Sequence, residues 1–168
     1  MLTVDLTPLP DHDIQIGLLL AMLQDVTREW LSELGEVSIT DITWQPRPNG
    51  HSIGAIFLHI IDVEAYWLEE IAAGIERSDE EMETLMSDEI DQYAVQWPKP
   101  PAEPLSWYLE QQAAVRQRTL DFVGKVNNPL HTGVRGDNQF TLRWLLQHVI
   151  AHEAYHGGQA VLLSLMRR

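Results

Sequence analysis

Apolar residues at the start of the chain recur at helical spacing. Ile16, Leu19, Leu20, Leu23, Val26, Trp30 and Leu34 form one stripe, which predicts an amphipathic helix from Asp11 to about Leu34. Asp11 or Asp13 is its expected cap. The following stretch, EVSITDITWQPRPNGHS, carries Pro46, Pro48, Asn49 and Gly50 and reads as a breaker-rich connection. Ser52 is a natural cap for a second helix reaching about Gly74, with Ile53, Ile56, Phe57, Ile60, Val63 and Trp67 on its apolar face.

The pattern then weakens. From Glu76 to Asp91 the chain is acidic and fits a short exposed helix that turns Met82, Leu85 and Met86 inward. PKPPAEP, from Pro98 to Pro104, places four prolines in seven residues and cannot be helix interior. A third helix is predicted from about Leu105 to Val126, and the run NNPLHTGVRGDNQ after it reads as a loop with room for a short hairpin. Thr141 is the expected cap of a last helix that runs nearly to the C-terminus, where Arg167 and Arg168 suit the negative end of the helix dipole. Four long amphipathic segments without a convincing strand pattern predict an all-α fold. The expected form is a four-helix bundle with a long connection between helices 2 and 3, in a single domain over residues 1–168.

Composition changes this picture mainly by exclusion. The 168 residues are 45% apolar and 21% charged, an ordinary globular balance. The formal net charge of −14 repels phosphate backbones and anionic membrane surfaces, so neither nucleic acid nor membrane is an expected partner. No apolar run is long enough to cross a bilayer, and the opening MLTVDLTPLPDHD lacks the basic and apolar regions of a signal peptide, so a cytoplasmic location is expected. Without cysteine there is no disulfide, no thiol nucleophile and no Cys-based zinc site, which leaves His, Asp and Glu to hold any metal.

The last helix concentrates the candidate chemistry. His148, His152 and His156 follow one another at four-residue intervals and so share a slowly drifting face. The window HEAYH, from His152 to His156, is a literal H-E-x-x-H match. A metalloprotease would need a further ligand downstream, and GGQAVLLSLMRR contains no His, Asp or Glu. The set must therefore be completed from upstream. His59 is the best candidate, because a histidine between Leu58 and Ile60 in an apolar helix needs a polar partner. His148 fits three roles: a ligand, a support behind one, or a pocket wall. The pocket role is preferred, since bundle sites take a compact ligand set at one level. Glu153 lies about 80° around the helix from the midpoint of His152 and His156 and is the nearest candidate base. Asp62, one turn beyond His59, is placed to orient a ligand, and Gln159 to hydrogen-bond at the rim of the site. Gly157 and Gly158 suit either close helix packing or room for a substrate. His12, His51 and His131 read as solvated surface residues.

Two segments carry a family resemblance. WQPRPNGHSIGAIFLHIIDVEAYW resembles the second-helix signature of the DinB-like, damage-inducible family of bacterial proteins, and HVIAHEAYHGGQAVLL resembles its last-helix signature. The family commonly has a basic residue where Gly157 stands here. The resemblance implies a four-helix bundle, commonly homodimeric, with a metal held by three histidines that map onto His59, His152 and His156. It also implies a range of activities. Some relatives transfer low-molecular-weight thiols such as bacillithiol, some isomerise substrates with mycothiol, and others are regarded as metal-dependent hydrolases.

Two functions follow. In the first, one divalent transition metal on three neutral imidazoles keeps open positions and serves a thiol S-transferase-like or hydrolase-like enzyme acting on a small molecule. In the second, the metal braces two helices of a non-catalytic binding or dimerisation module. Zinc or nickel is the first expectation for the ion, with iron or another metal next, since imidazole suits all of them.

Overall fold

The computed structural model describes residues 3–90, 93 and 96–168. Within them the chain is mostly helical: α1 (Ile14–Leu34), α2 (Ile39–Ile42), α3 (Ile53–Ala65), α4 (Asp79–Leu85), α5 (Leu105–Val126) and α6 (Leu142–Arg167). A small antiparallel pair, β1 (Thr132–Arg135) and β2 (Asn138–Thr141), precedes the last helix. No helix of the described residues is long and apolar enough to cross a membrane.

Local chemistry explains most boundaries. Asp13, rather than Asp11, caps α1, its carboxylate accepting from the Gln15 amide at 2.8 Å. Ser52 caps α3 by accepting from the Ala55 amide. From Tyr66 to Ala73 the same helix continues with π-type hydrogen bonding and ends at Gly74, whose φ of 68° suits glycine. The short acidic helix expected after Glu76 is α4, with Leu85 buried; Asp91, the end expected for that stretch, lies outside the described residues.

Three features refine the sequence reading. The connection after α1 contains α2, closed by a capping box in which Ser38 and Asp41 satisfy each other's backbone amides. The stretch after α5, read as a loop with room for a short hairpin, does form one, in register Thr132↔Thr141 with Gly136 at φ 57° in its two-residue turn. Thr141 stands at the N-cap of α6 without a side-chain cap bond, because β2 runs straight into the helix. The all-α expectation thus becomes mostly helical with a hairpin.

The apolar stripes form two buried clusters. One gathers Trp30, Leu34, Ile56, Phe57, Trp97, Tyr108 and Ala160; the other gathers Ile16, Leu20, Leu23, Trp67, Val123, Leu145 and Val149. Between them along the helices lies a polar layer. Thr27 falls between Leu23 and Trp30 on α1, and Glu153 between Ile150 and Ala160 on α6.

Candidate metal centre

His59 on α3 and His152 and His156 on α6 meet in the interior, as helical spacing from two packed helices requires. One nitrogen from each lies within 4.8 Å of the others. His152 Nε2 and His59 Nε2 stand 3.1 Å apart. His59 and His156 are buried and His152 partly so.

The donor chemistry fits a transition metal. His156 Nδ1 donates to Gln159 Oε1 at 2.8 Å, which leaves Nε2 as the unprotonated nitrogen. That Nε2 is buried and has no hydrogen-bond partner among the described residues. A buried acceptor of this kind asks for a ligand. Nitrogens bound tetrahedrally at about 2.0–2.1 Å from zinc lie about 3.4 Å apart, so the His59–His152 pair already has nearly that spacing.

Electrostatics keeps the lone pairs available. Burial pushes His152 down to about 2, and the rings of His156, His59 and His148 push the same way. Burial also lowers His156, outweighing the opposing effect of its bond to Gln159. Neutral imidazole is the form that binds a metal.

His148 lies one turn before His152 and lines a cavity of about 510 Å³. Its ring stacks on Trp144 at 5.0 Å and meets the edge of Trp67 at 5.0 Å. The same cavity is lined by His59 and His152, so it opens onto the histidine cluster. Its other walls include Val63, Tyr66, Trp67, Phe140 and Trp144.

Two expected roles give way to geometry. Glu153 was expected as a base beside the metal, but its carboxylate is committed elsewhere. Oε1 accepts from Thr27 at 2.6 Å, Trp30 at 3.0 Å and Gln112 at 3.1 Å, while Oε2 accepts from Arg116 at 2.8 Å. Its position around the helix turns it toward α1 and α5 instead. Asp62 was expected to orient a ligand; its hydrogen bonds go instead to Arg77 at 2.6 Å and Ser87 at 2.5 Å. Gly157 favours packing over substrate room, because a Cβ there would meet Trp30 Cγ at 2.6 Å, whereas one at Gly158 would meet nothing within 4 Å. His51 is partly buried against Trp97 at 4.0 Å, His131 Nε2 bonds the Ala72 carbonyl at 2.9 Å, and His12 is partly buried, so none is a freely solvated side chain.

Sequence reading missed the node around Arg116. Its guanidinium bridges Glu64 at 2.8 and 2.9 Å and Glu153 at 2.8 Å, with both carboxylates almost fully buried. Burial opposes the charge on Arg116, and the two carboxylates overcome it, raising the guanidinium above its ordinary value. The signal was present on α5, where Gln112 and Thr119 fall on the same inward stripe as Tyr108, Val115 and Val123.

Fold and site together define a class: a mostly helical protein that gathers three imidazoles from two helices into a candidate transition-metal centre. Within that class the DinB superfamily model matches residues 19–160, and the chain belongs to this superfamily. The match includes His59, His152 and His156, and it bears out the resemblance carried by the two histidine segments. No curated protein matches the chain.

Proposed function

We propose that this protein is a metal-dependent enzyme acting on a small molecule, S-transferase-like in preference to hydrolase-like, built on a four-helix bundle of α1, α3, α5 and α6. The observation that carries the reading is the aromatic-walled cavity of about 510 Å³ that reaches the histidine cluster through His59 and His152. That volume is typical of small-molecule sites.

His59, His152 and His156 would hold the ion, and Gln159 keeps the His156 proton on Nδ1 so that Nε2 faces inward. A divalent metal bound there supplies Lewis acidity that lowers the pKa of a thiol or a water. Trp67, Phe140 and Trp144 give the substrate apolar walls to pack on. The commitment of Glu153 to Thr27, Trp30, Gln112 and Arg116 supports the thiol route, since a thiol ionises far more readily than water and has less need of a base.

A homodimer is part of the proposal. Tyr155, Leu162, Leu165 and Met166 expose apolar surface along α6, at 55–65% of their full exposure. Analytical ultracentrifugation should give twice the chain mass, and Leu162→Glu should return it to one.

The function is tested by elemental analysis of protein that has met no chelator or metal column, paired with thiol-transfer and hydrolysis assays. His59→Ala, His152→Ala and His156→Ala should each remove most bound metal, and His148→Ala should keep it. Full occupancy in His59→Ala, or no metal-dependent rate across a broad electrophile and ester panel, would overturn the reading.

A further inference from the structure

The cavity beside the histidines has two ends of different chemistry. The inner end is His59 and His152; at the outer end stands Arg135 on β1. Its guanidinium carbon lies 5.1 Å from the Trp67 ring centroid and 5.5 Å from that of Tyr66. In a chain of net charge −14, guanidinium groups readily find carboxylates. Arg28, Arg77, Arg116, Arg118 and Arg167 do, whereas Arg143 bonds the Gln15 side chain and Arg168 the Leu34 carbonyl. Arg135 has aromatic faces instead, and among the described residues no carboxylate pairs with it.

The hairpin holds this arginine in place. Gly133 packs so closely on the π-helical segment that a Cβ there would lie 2.1 Å from the Ile71 carbonyl oxygen. His131 ties the base of the hairpin to the Ala72 carbonyl at 2.9 Å. A guanidinium stacked on rings keeps its in-plane N–H donors free at the edge. Beside it, Trp144 is 40% exposed and packs on Phe140 at 4.8 Å.

We infer that the cavity takes a small planar molecule bearing an anionic group, a carboxylate or a phosphate. Arg135 receives the anion, Trp67, Phe140 and Trp144 receive the ring, and the far end of the molecule points toward His59 and His152. This rests on the cavity being the substrate site, as proposed above. It adds that the site selects for negative charge in a protein whose overall field repels it.

The test uses the full-length metal-loaded protein and three probes: benzoate, phenyl phosphate and the neutral isostere benzamide. Binding is read by tryptophan fluorescence and by calorimetry. Wild type should bind at least one of the two anions about 10-fold more tightly than benzamide, the low end for a charge-assisted hydrogen bond. Which anion binds better separates a carboxylate from a phosphate ligand. Arg135→Gln should abolish that preference without changing benzamide affinity, and Arg135→Lys should restore part of it. Trp144→Ala should weaken all three probes. Unchanged anion affinity in Arg135→Gln overturns the inference. If that affinity is instead lost on chelation, the ion holds the anion, and the inference also fails. Loss of affinity in Trp144→Ala alongside an indifferent Arg135→Gln leaves the cavity reading standing and removes only the anion subsite. Probes that bind but ignore Trp144→Ala remove both.

Discussion

His152 and Glu153 are neighbours on α6, yet they open onto two polar clusters whose hydrogen bonds end differently. Around Glu153 the network closes within the chain. Four donors from α1 and α5 reach its carboxylate, and Arg116 carries the connection on to Glu64. Around His152 the network stays open, with His156 Nε2 buried and unpartnered among the described residues. Leaving a buried polar atom unsatisfied costs about 1–3 kcal/mol, a cost that an ion held jointly with His59 and His152 would offset. Both clusters hold ionisable groups in the interior. Closure, rather than the presence of charge, separates the structural network from the candidate site, and it argues against a base role for the carboxylate that the H-E-x-x-H pattern suggests.

The largest effect that tests this contrast lies in the closed cluster. Arg116→Ala would leave Glu64 and Glu153 buried without their cation. Breaking a buried ion pair typically costs about 3–5 kcal/mol, so urea denaturation should show a loss of that size or an unfolded chain. Replacing all three at once, as Glu64→Leu, Arg116→Met and Glu153→Leu, should recover most of the loss, because an apolar set of similar size has no charge to compensate. A loss under about 1 kcal/mol in Arg116→Ala would mean the node carries little structural weight.

In the open cluster stability should instead depend on the ligand. A metal at 100 times its dissociation constant adds about 2.7 kcal/mol to the native state. Chelation should therefore lower the Tm of wild type, and zinc or nickel should restore it. His156→Ala should melt near chelated wild type and ignore the chelator. An equal chelator response in His156→Ala and wild type would show that the ion sits elsewhere.

Sequence made one cluster plainly legible and left only a trace of the other, the polar Gln112 and Thr119 on an apolar stripe. Three histidines at four-residue spacing announce a shared helix face, and His59 among apolar neighbours announces a buried polar group, so the candidate ligands could be named together. The long helices were legible for the same reason: their stripes run through Ile16, Leu20, Leu23, Trp30 and Leu34 on α1 and through Ile53, Ile56, Phe57 and Ile60 on α3. Arg116 and Glu64 look like ordinary surface charges in a sequence, because only tertiary packing turns them inward. The hairpin could be allowed for but its strands not placed, since strands of four residues give periodicity nothing to repeat on. With them went Arg135, whose place above Tyr66 and Trp67 depends on the close approach at Gly133.

Glu153→Gln probes the border between the clusters. The amide keeps the shape but loses the charge that Arg116 meets at 2.8 Å, so a loss of about 1–3 kcal/mol is expected. Bound metal should be unchanged, and metal-dependent thiol transfer should fall only mildly once measurements are made well below the lowered Tm. Abolished turnover in a folded, metal-loaded Glu153→Gln protein would restore the base role and contradict the geometry.

The smallest expected effect is the sharpest for the open cluster. Gln159 meets His156 through one hydrogen bond, and its role is to decide which ring nitrogen carries the proton. Without that acceptor the ring is free to place its proton on Nε2, where a metal would have to displace it. Removing a partner that orients a metal-binding histidine typically weakens the metal by about 10–100-fold, and Gln159→Ala should fall near tenfold, since His59 and His152 still bind. Gln159→Glu should keep or raise the affinity, because a carboxylate is a stronger acceptor for the same N–H and favours the same tautomer. Competition with a chromophoric chelator measures both variants against wild type. Equal weakening in the two variants would show that Gln159 acts by packing, and unchanged affinity in Gln159→Ala would show that the His156 proton is fixed by another group.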